Sequence, residues 1–234
     1  MMSLRAKFLP VIIAICGGAW LIHAQLNPAR EARLWEHRNL GKAFYENPTT
    51  QPQAVTEFRT ALEMAPGSVR ERLNYGLALL RVGELARGIV ELEKVQKQDP
   101  RLPHTWFNLG VAYKRQSEFD KALVEFEGMA RLVPTEPVTH YQIGTLLKMK
   151  GETADAIKQF ETARDLNPLL AAPHFQLYGL YRQVNRPADA AAELKLFQEA
   201  KQRQDGAAIP EDMDWCMYAE IGRASCRERV SRCV

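Results

Sequence analysis

Residues 103–134 read PHTWFNLGVAYKRQSEFDKALVEFEGMARLVP. Trp106, Leu109, Gly110 and Tyr113 stand three, one and three residues apart, which puts Trp106, Gly110 and Tyr113 on one face of a helix. Ala122, Phe126, Met129 and Ala130 repeat that spacing in a second helical segment, with Ser117 and Glu118 at the turn between. Two short amphipathic helices joined by a tight turn cannot bury both their apolar faces alone. The unit needs neighbours.

The neighbours come at a step of 34 residues. Ala54, Gly88, Ala122, Ala156 and Ala190 fall in register, as do Phe58, Leu92, Phe126, Phe160 and Leu194. Pro66, Pro100, Pro134 and Pro168 close four successive units, and Gly76, Gly110 and Gly144 mark the first helix of three. The pattern resembles the tetratricopeptide repeat family, whose W-x2-L-G-x2-Y … A-x3-F … P motif is met almost fully by Trp106 through Pro134. Five units follow, at about 34–68, 69–102, 103–136, 137–170 and 171–204. The resemblance implies an all-α, right-handed superhelical solenoid of antiparallel helix pairs over residues 26–204.

Packing expectations follow from the same positions. Gly76, Gly110 and Gly144 are expected to face Gly88, Ala122 and Ala156, letting helix axes approach to about 8 Å. Phe126 and Phe160 are expected to fill the gap toward the next unit. Gly83, Ser117, Gly151 and Asn185 follow the first helices, where a left-handed residue ends a helix; serine fits worst. The closing prolines stop the second helices, since proline lacks the amide donor and clashes with the preceding turn. Two units depart from the pattern: the first has an extra residue in its turn, NPTTQPQ, and the fifth has Tyr178 at the glycine site and Gln202 at the closing proline. Asn27 and Pro28 open the first helix, expected to reach about Glu46 with Trp35 packed on the first unit.

The ends are of another kind. Arg5 and Lys7 precede an uncharged apolar run at 8–22, and Ala24 is a small residue before a cut at Gln25. Residues 1–25 therefore read as a secretory signal peptide, or as an uncleaved membrane anchor; either places the repeats outside the cytoplasm, in the periplasm or secreted. Beyond Asp205–Gly206, which terminate a helix, residues 205–219 read as a capping segment or linker, with Met213, Trp215, Met217 and Tyr218 able to cover the end of the solenoid. The stretch EIGRASCRERV (220–230) matches the translation of a common sequencing adapter, so 220–234 are read as non-native and the natural chain as continuing past Ala219.

Charge follows suit. The chain has 31 basic and 28 acidic residues, but without the export segment and the residues from Gly222 onward the folded part holds 25 against 27. That balance excludes the dense basic face a nucleic acid requires. Of four cysteines only Cys216 lies outside those end segments, so no disulfide framework is built.

No catalytic constellation, phosphate loop or zinc-type spacing is present in the sequence, and no cofactor is implied. His37, His140 and His174 take the position of Trp106, one per unit; at a helix spacing apart they are too distant to share a metal with bonds near 2 Å. They are expected to pack between helices. The resemblance implies that the first helices line a concave groove into which the residue after the Trp position points: Leu73, Phe107, Tyr141 and Phe175. Seven residues on stand Leu80, Lys114, Lys148 and Arg182. An apolar and aromatic stripe bordered by a basic one (Lys114, Lys148, Arg182) suits a protein or peptide with apolar anchors and acidic flanks. A two-carboxylate clamp of the kind some family members use is not matched, because Lys42, His104 and Asn108 stand at its positions beside Asn74. The expected function is an exported, non-enzymatic binding scaffold; the alternative is the N-terminal interaction module of a larger exported protein with a β-propeller-like or catalytic domain. Contact with a membrane is expected only through an uncleaved N-terminal segment.

Overall fold

A computed structural model describes residues 28–203. The expectations for residues 1–27 and 204–234, including the export segment, the capping segment and the adapter-like stretch, lie outside the described residues. Within them the chain forms ten helices: α1 (Pro28–Glu46), α2 (Gln51–Met64), α3 (Val69–Arg81), α4 (Leu85–Gln98), α5 (Pro103–Arg115), α6 (Phe119–Leu132), α7 (Pro137–Met149), α8 (Thr153–Leu166), α9 (Ala171–Gln183) and α10 (Pro187–Arg203). Each odd helix pairs with the even helix after it, and each pair packs on the next. The protein is an all-α solenoid of helix pairs.

Helix ends follow local chemistry. α2, α4, α6 and α8 each stop two residues before Pro66, Pro100, Pro134 and Pro168, as expected where the residue before a proline is pushed out of helical conformation. Ser68 caps α3 through its hydroxyl, which accepts from the Glu71 amide at 3.4 Å, and Pro103 and Pro137 open α5 and α7. Four of the five first helices, α3, α5, α7 and α9, end in left-handed residues, Gly83 (φ 85°), Ser117 (φ 62°), Gly151 (φ 80°) and Asn185 (φ 57°). Around Ser117 the Glu118 amide donates to the Tyr113 carbonyl at 2.9 Å and the Ser117 amide to that of Lys114 at 3.0 Å, the paired bonds of a Schellman ending.

The interior explains the glycines differently from the sequence reading. A Cβ on Gly110 would stand 2.8 Å from the Phe126 ring, one on Gly144 2.9 Å from Phe160, and one on Gly41 2.7 Å from Phe58. These phenylalanines therefore lie over the glycine of their own pair. At Gly88 a Cβ would meet Leu80 at 2.5 Å and the Gly76 carbonyl oxygen at 3.1 Å, so there small faces small directly. In the last pair the glycine's place is taken by Tyr178, Leu194 stands where three other pairs carry phenylalanine and the second carries Leu92, and a phenylalanine appears three residues later as Phe197. Trp35, expected to pack on the first unit, is 50% exposed and carries the Arg38 guanidinium 5.3 Å from its ring centroid.

Candidate functional site

In the second to fifth units the Trp position performs one task with different side chains. Arg72 Nη2, Trp106 Nε1, His140 Nε2 and His174 Nε2 bond the carbonyl oxygens of Pro66, Pro100, Pro134 and Pro168, at 2.9, 2.8, 2.9 and 3.0 Å. Each bond runs from the first helix back to the loop that opens its unit. The opposite side of the same residue faces the second helix. His37 Nδ1 lies 2.6 Å from Glu57, Arg72 Nη1 donates to Glu91 at 2.7 Å, His140 Nδ1 meets Gln159 at 2.8 Å, and His174 Nδ1 meets Glu193 at 2.6 Å. These residues thus clip a pair together, as the packing expectation for the histidines requires. Trp106 has one donor only, so Glu125 turns instead to Gln96 of the preceding unit at 2.6 Å; burial there holds its carboxyl above the usual range.

Adjacent units are joined by further polar bonds. Tyr113 donates to Glu93 at 2.6 Å and Tyr181 to Glu161 at 2.5 Å, each reaching the second helix of the unit before. Arg38 donates to Glu71 at 2.7 and 2.5 Å; that carboxylate is fully buried, with Oε2 left without a partner. Arg164 bridges Glu193 at 2.6 Å, so Glu193 is shared between Arg164 and His174. Burial raises the Glu193 carboxyl, but these two cations outweigh it and hold the group below its ordinary value. Burial also works against a charged His174, yet its bonds to Glu193 and to the Pro168 carbonyl lift it above the ordinary histidine range. His104, buried in α5, goes the other way: loss of solvent lowers it to about 4. The sequence reading did not single out that histidine's burial, nor the tyrosine–glutamate bonds.

The expected groove residues separate into two groups. Leu73 (1% exposed) and Phe107 (0%) belong to the core, so the stripe of four open apolar residues is corrected. Phe107 meets the Phe126 ring of its own pair at 5.7 Å in a T-shaped contact. Tyr141 is half-buried against Phe160 at 5.5 Å, and Phe175 is 52% exposed. The basic border is likewise partly engaged. Lys114 donates to Gln142 at 3.0 Å and Lys148 to Gln176 at 2.8 Å, each crossing to the next first helix. Lys148 and Arg182 are exposed, Lys114 half-buried, and Leu80, at the same register, is buried. What remains open is the C-terminal half of the row: Tyr141, Lys148, Phe175 and Arg182.

Among the described residues there is no group of three histidine, cysteine, aspartate or glutamate side chains placed to hold a metal, and no helix long and apolar enough to cross a membrane. The row of first helices, clipped by repeated hydrogen bonds and ending in open aromatic and cationic side chains, belongs to an all-helical solenoid whose fold is tetratricopeptide-like. Solved structures of MamA share its fold. One from Desulfovibrio magneticus RS-1 is 18% identical, covers 74% of this chain and 97% of its own, and superposes with a TM-score of 0.66. A MamA double mutant of strain RS-1 is also 18% identical over 74% and 97% of the two chains, at 0.67, and one of MSR-1 is 22% identical over 74% and 98%, at 0.61. No family model and no curated protein matches the chain.

Proposed function

We propose that the protein is a binding scaffold that takes an extended or helical protein segment along the C-terminal half of its first-helix row. Apolar side chains of the ligand rest on Tyr141 and Phe175, and acidic flanks meet Lys148 and Arg182. The observation that carries this reading is Phe175, a phenylalanine half open to solvent on a row whose register equivalents Leu73 and Phe107 are sealed. Exposed aromatics flanked by cations are the usual anchors of peptide recognition. The work is binding rather than catalysis, and the pairing of Arg5 and Lys7 with the apolar run at 8–22 supports a site of action outside the cytoplasm. Fusion of residues 1–28 to a reporter active only after export gives activity if that is so.

The direct test is a fluorescently labelled peptide library with two aromatic anchors and acidic flanks, titrated by anisotropy. Phe175→Ala lowers the affinity of a selected peptide by about tenfold or more, as truncation of a hot-spot aromatic does. Helicity stays unchanged, because the ring is not part of the core. Equal affinity for wild type and Phe175→Ala defeats the reading.

A further inference from the structure

The end of the solenoid carries an aromatic row with a cation at each end. The Arg182 guanidinium lies 5.5 Å from the Tyr178 ring and donates to its hydroxyl at 3.2 Å. The Phe175 ring meets Phe197 at 5.3 Å, and the Lys201 ammonium stands 5.9 Å from the Phe197 ring. Earlier in the stack the Phe175 position is sealed as Leu73 and Phe107 and half-buried as Tyr141, while the Phe197 position is sealed throughout, as Ala61, Val95, Met129 and Ala163, each 0% exposed. Phe197 is only half-buried and Phe175 half open, so α9 and α10 present an apolar face more open than in the earlier pairs.

From this face we infer that residues 209–219 of the same chain, IPEDMDWCMYA, are its occupant. They are not a sixth repeat, because the register would put Pro210 inside a first helix and Asp212 at the glycine site. Their chemistry is the complement of the row: Met213, Trp215, Met217 and Tyr218 for the rings, and Glu211, Asp212 and Asp214 for Arg182 and Lys201. The tether reaches. Arg203 ends α10 six residues past Phe197, about 9 Å along the axis at 1.5 Å per residue. Residues 204–208 span up to about 17 Å when extended, enough to bring Ile209 back to Phe175. The segment also has the composition ascribed above to the scaffold's ligand, so it competes with a partner for Phe175 and Arg182. That consequence alone rests on the groove reading.

The test uses the full chain with p-benzoylphenylalanine in place of Phe175, and separately of Tyr178, irradiated at high dilution and mapped by mass spectrometry. Both probes form an adduct within one chain that falls on residues 209–219. The adduct is lost when Met213, Trp215 and Met217 are changed to serine, while circular dichroism is kept. An adduct of dimer mass would assign the face to a second copy, and adducts on repeat residues only, or none, would leave it open to solvent; each of these overturns the inference. No partner is needed for this readout, so failure to find a groove ligand leaves it standing, and its own failure leaves the groove reading untouched.

Discussion

The third and fifth helix pairs occupy the same register and bury different things. In the third, Gly110 receives the Phe126 ring, and Phe107 and Met129 are 0% exposed. In the fifth, Tyr178 fills the glycine's place, Leu194 is half-buried, Phe197 is displaced along the helix, and Phe175 is 52% exposed. Both pairs form, and both keep the clip from the Trp position to the preceding proline carbonyl. Within a solenoid, then, the hydrogen bonds that define a pair belong to the unit, whereas the burial of its outward apolar positions belongs to the neighbour. A position that is core in the third pair becomes half-exposed surface in the fifth.

The strongest way to test this contrast is to remove the second-helix anchor from each pair. Phe126→Ala leaves a ring-sized hole against Gly110 and costs about 3–5 kcal/mol of unfolding free energy. Leu194→Ala, at the same register but half-buried, costs about 1–2 kcal/mol. Urea melts followed by circular dichroism read both. Equal losses would mean that the last pair is packed like the middle one.

The buried histidines sharpen the contrast through pH. His104 is held neutral, at about 4 against 6.5 in the unfolded chain. Between those values the unfolded state binds a proton that the folded state refuses, so stability falls as pH drops from 6.5 to 4. The total loss is about 3 kcal/mol. His174 is raised, so its contribution is complete below pH 6.5 and is lost as pH rises through its folded value. Its partner Glu193 is lowered from 4.5, and its contribution is complete above that value and lost on acidification. The end pair is therefore best held between about pH 4.5 and 6.5, the interval in which the middle loses stability. Melts of His104→Gln across this range show a flatter acid limb than wild type, and His174→Gln removes stability mainly on the acid side of 6.5.

Much of the fold was legible because its signals are local. The closing prolines set the ends of the second helices, Pro28, Pro103 and Pro137 open the first ones, and the 34-residue step pairs them. The site was legible only in part. Periodicity tells which residues share a face, but not what lies on that face, so Phe107 and Phe175 look alike in sequence and differ wholly in exposure. The proline clip was hidden for another reason. Arg, Trp and His supply the same N–H donor, so the shared bond is invisible to any comparison by residue type. His37, His140 and His174 showed the position, yet not that Arg72 and Trp106 act there too.

A smaller effect of opposite sign separates the two glycines. Gly110→Ala drives a methyl to 2.8 Å from a buried, immobile ring; about 1–3 kcal/mol of overpacking outweighs the gain in helix propensity. Gly179→Ala meets no atom within 4 Å in a helix, and stabilises by about 0.5–1 kcal/mol. Thermal melts of the two variants should therefore shift in opposite directions, and a shift in the same direction would deny that the last pair has lost the glycine–ring contact.

The smallest expected change concerns the end of α5. Ser117 holds φ at 62°, where its Cβ is crowded against backbone, while glycines take the same register after α3 and α7 with φ of 85° and 80°. Nothing about the turn requires serine, since the two bonds that close the helix come from the amides of Ser117 and Glu118. Ser117→Gly relieves the crowding but gives the unfolded chain more freedom, and the balance is a gain of about 0.5–1 kcal/mol. Ser68→Gly is the control. That serine sits at φ −77° and its hydroxyl caps α3, so the change removes a bond, relieves no strain, and lowers stability by a few tenths of about 1 kcal/mol. Paired urea melts distinguish the two serines by sign. If both variants were destabilised, the left-handed turn at Ser117 would have to be held by its side chain and not by the helix it ends.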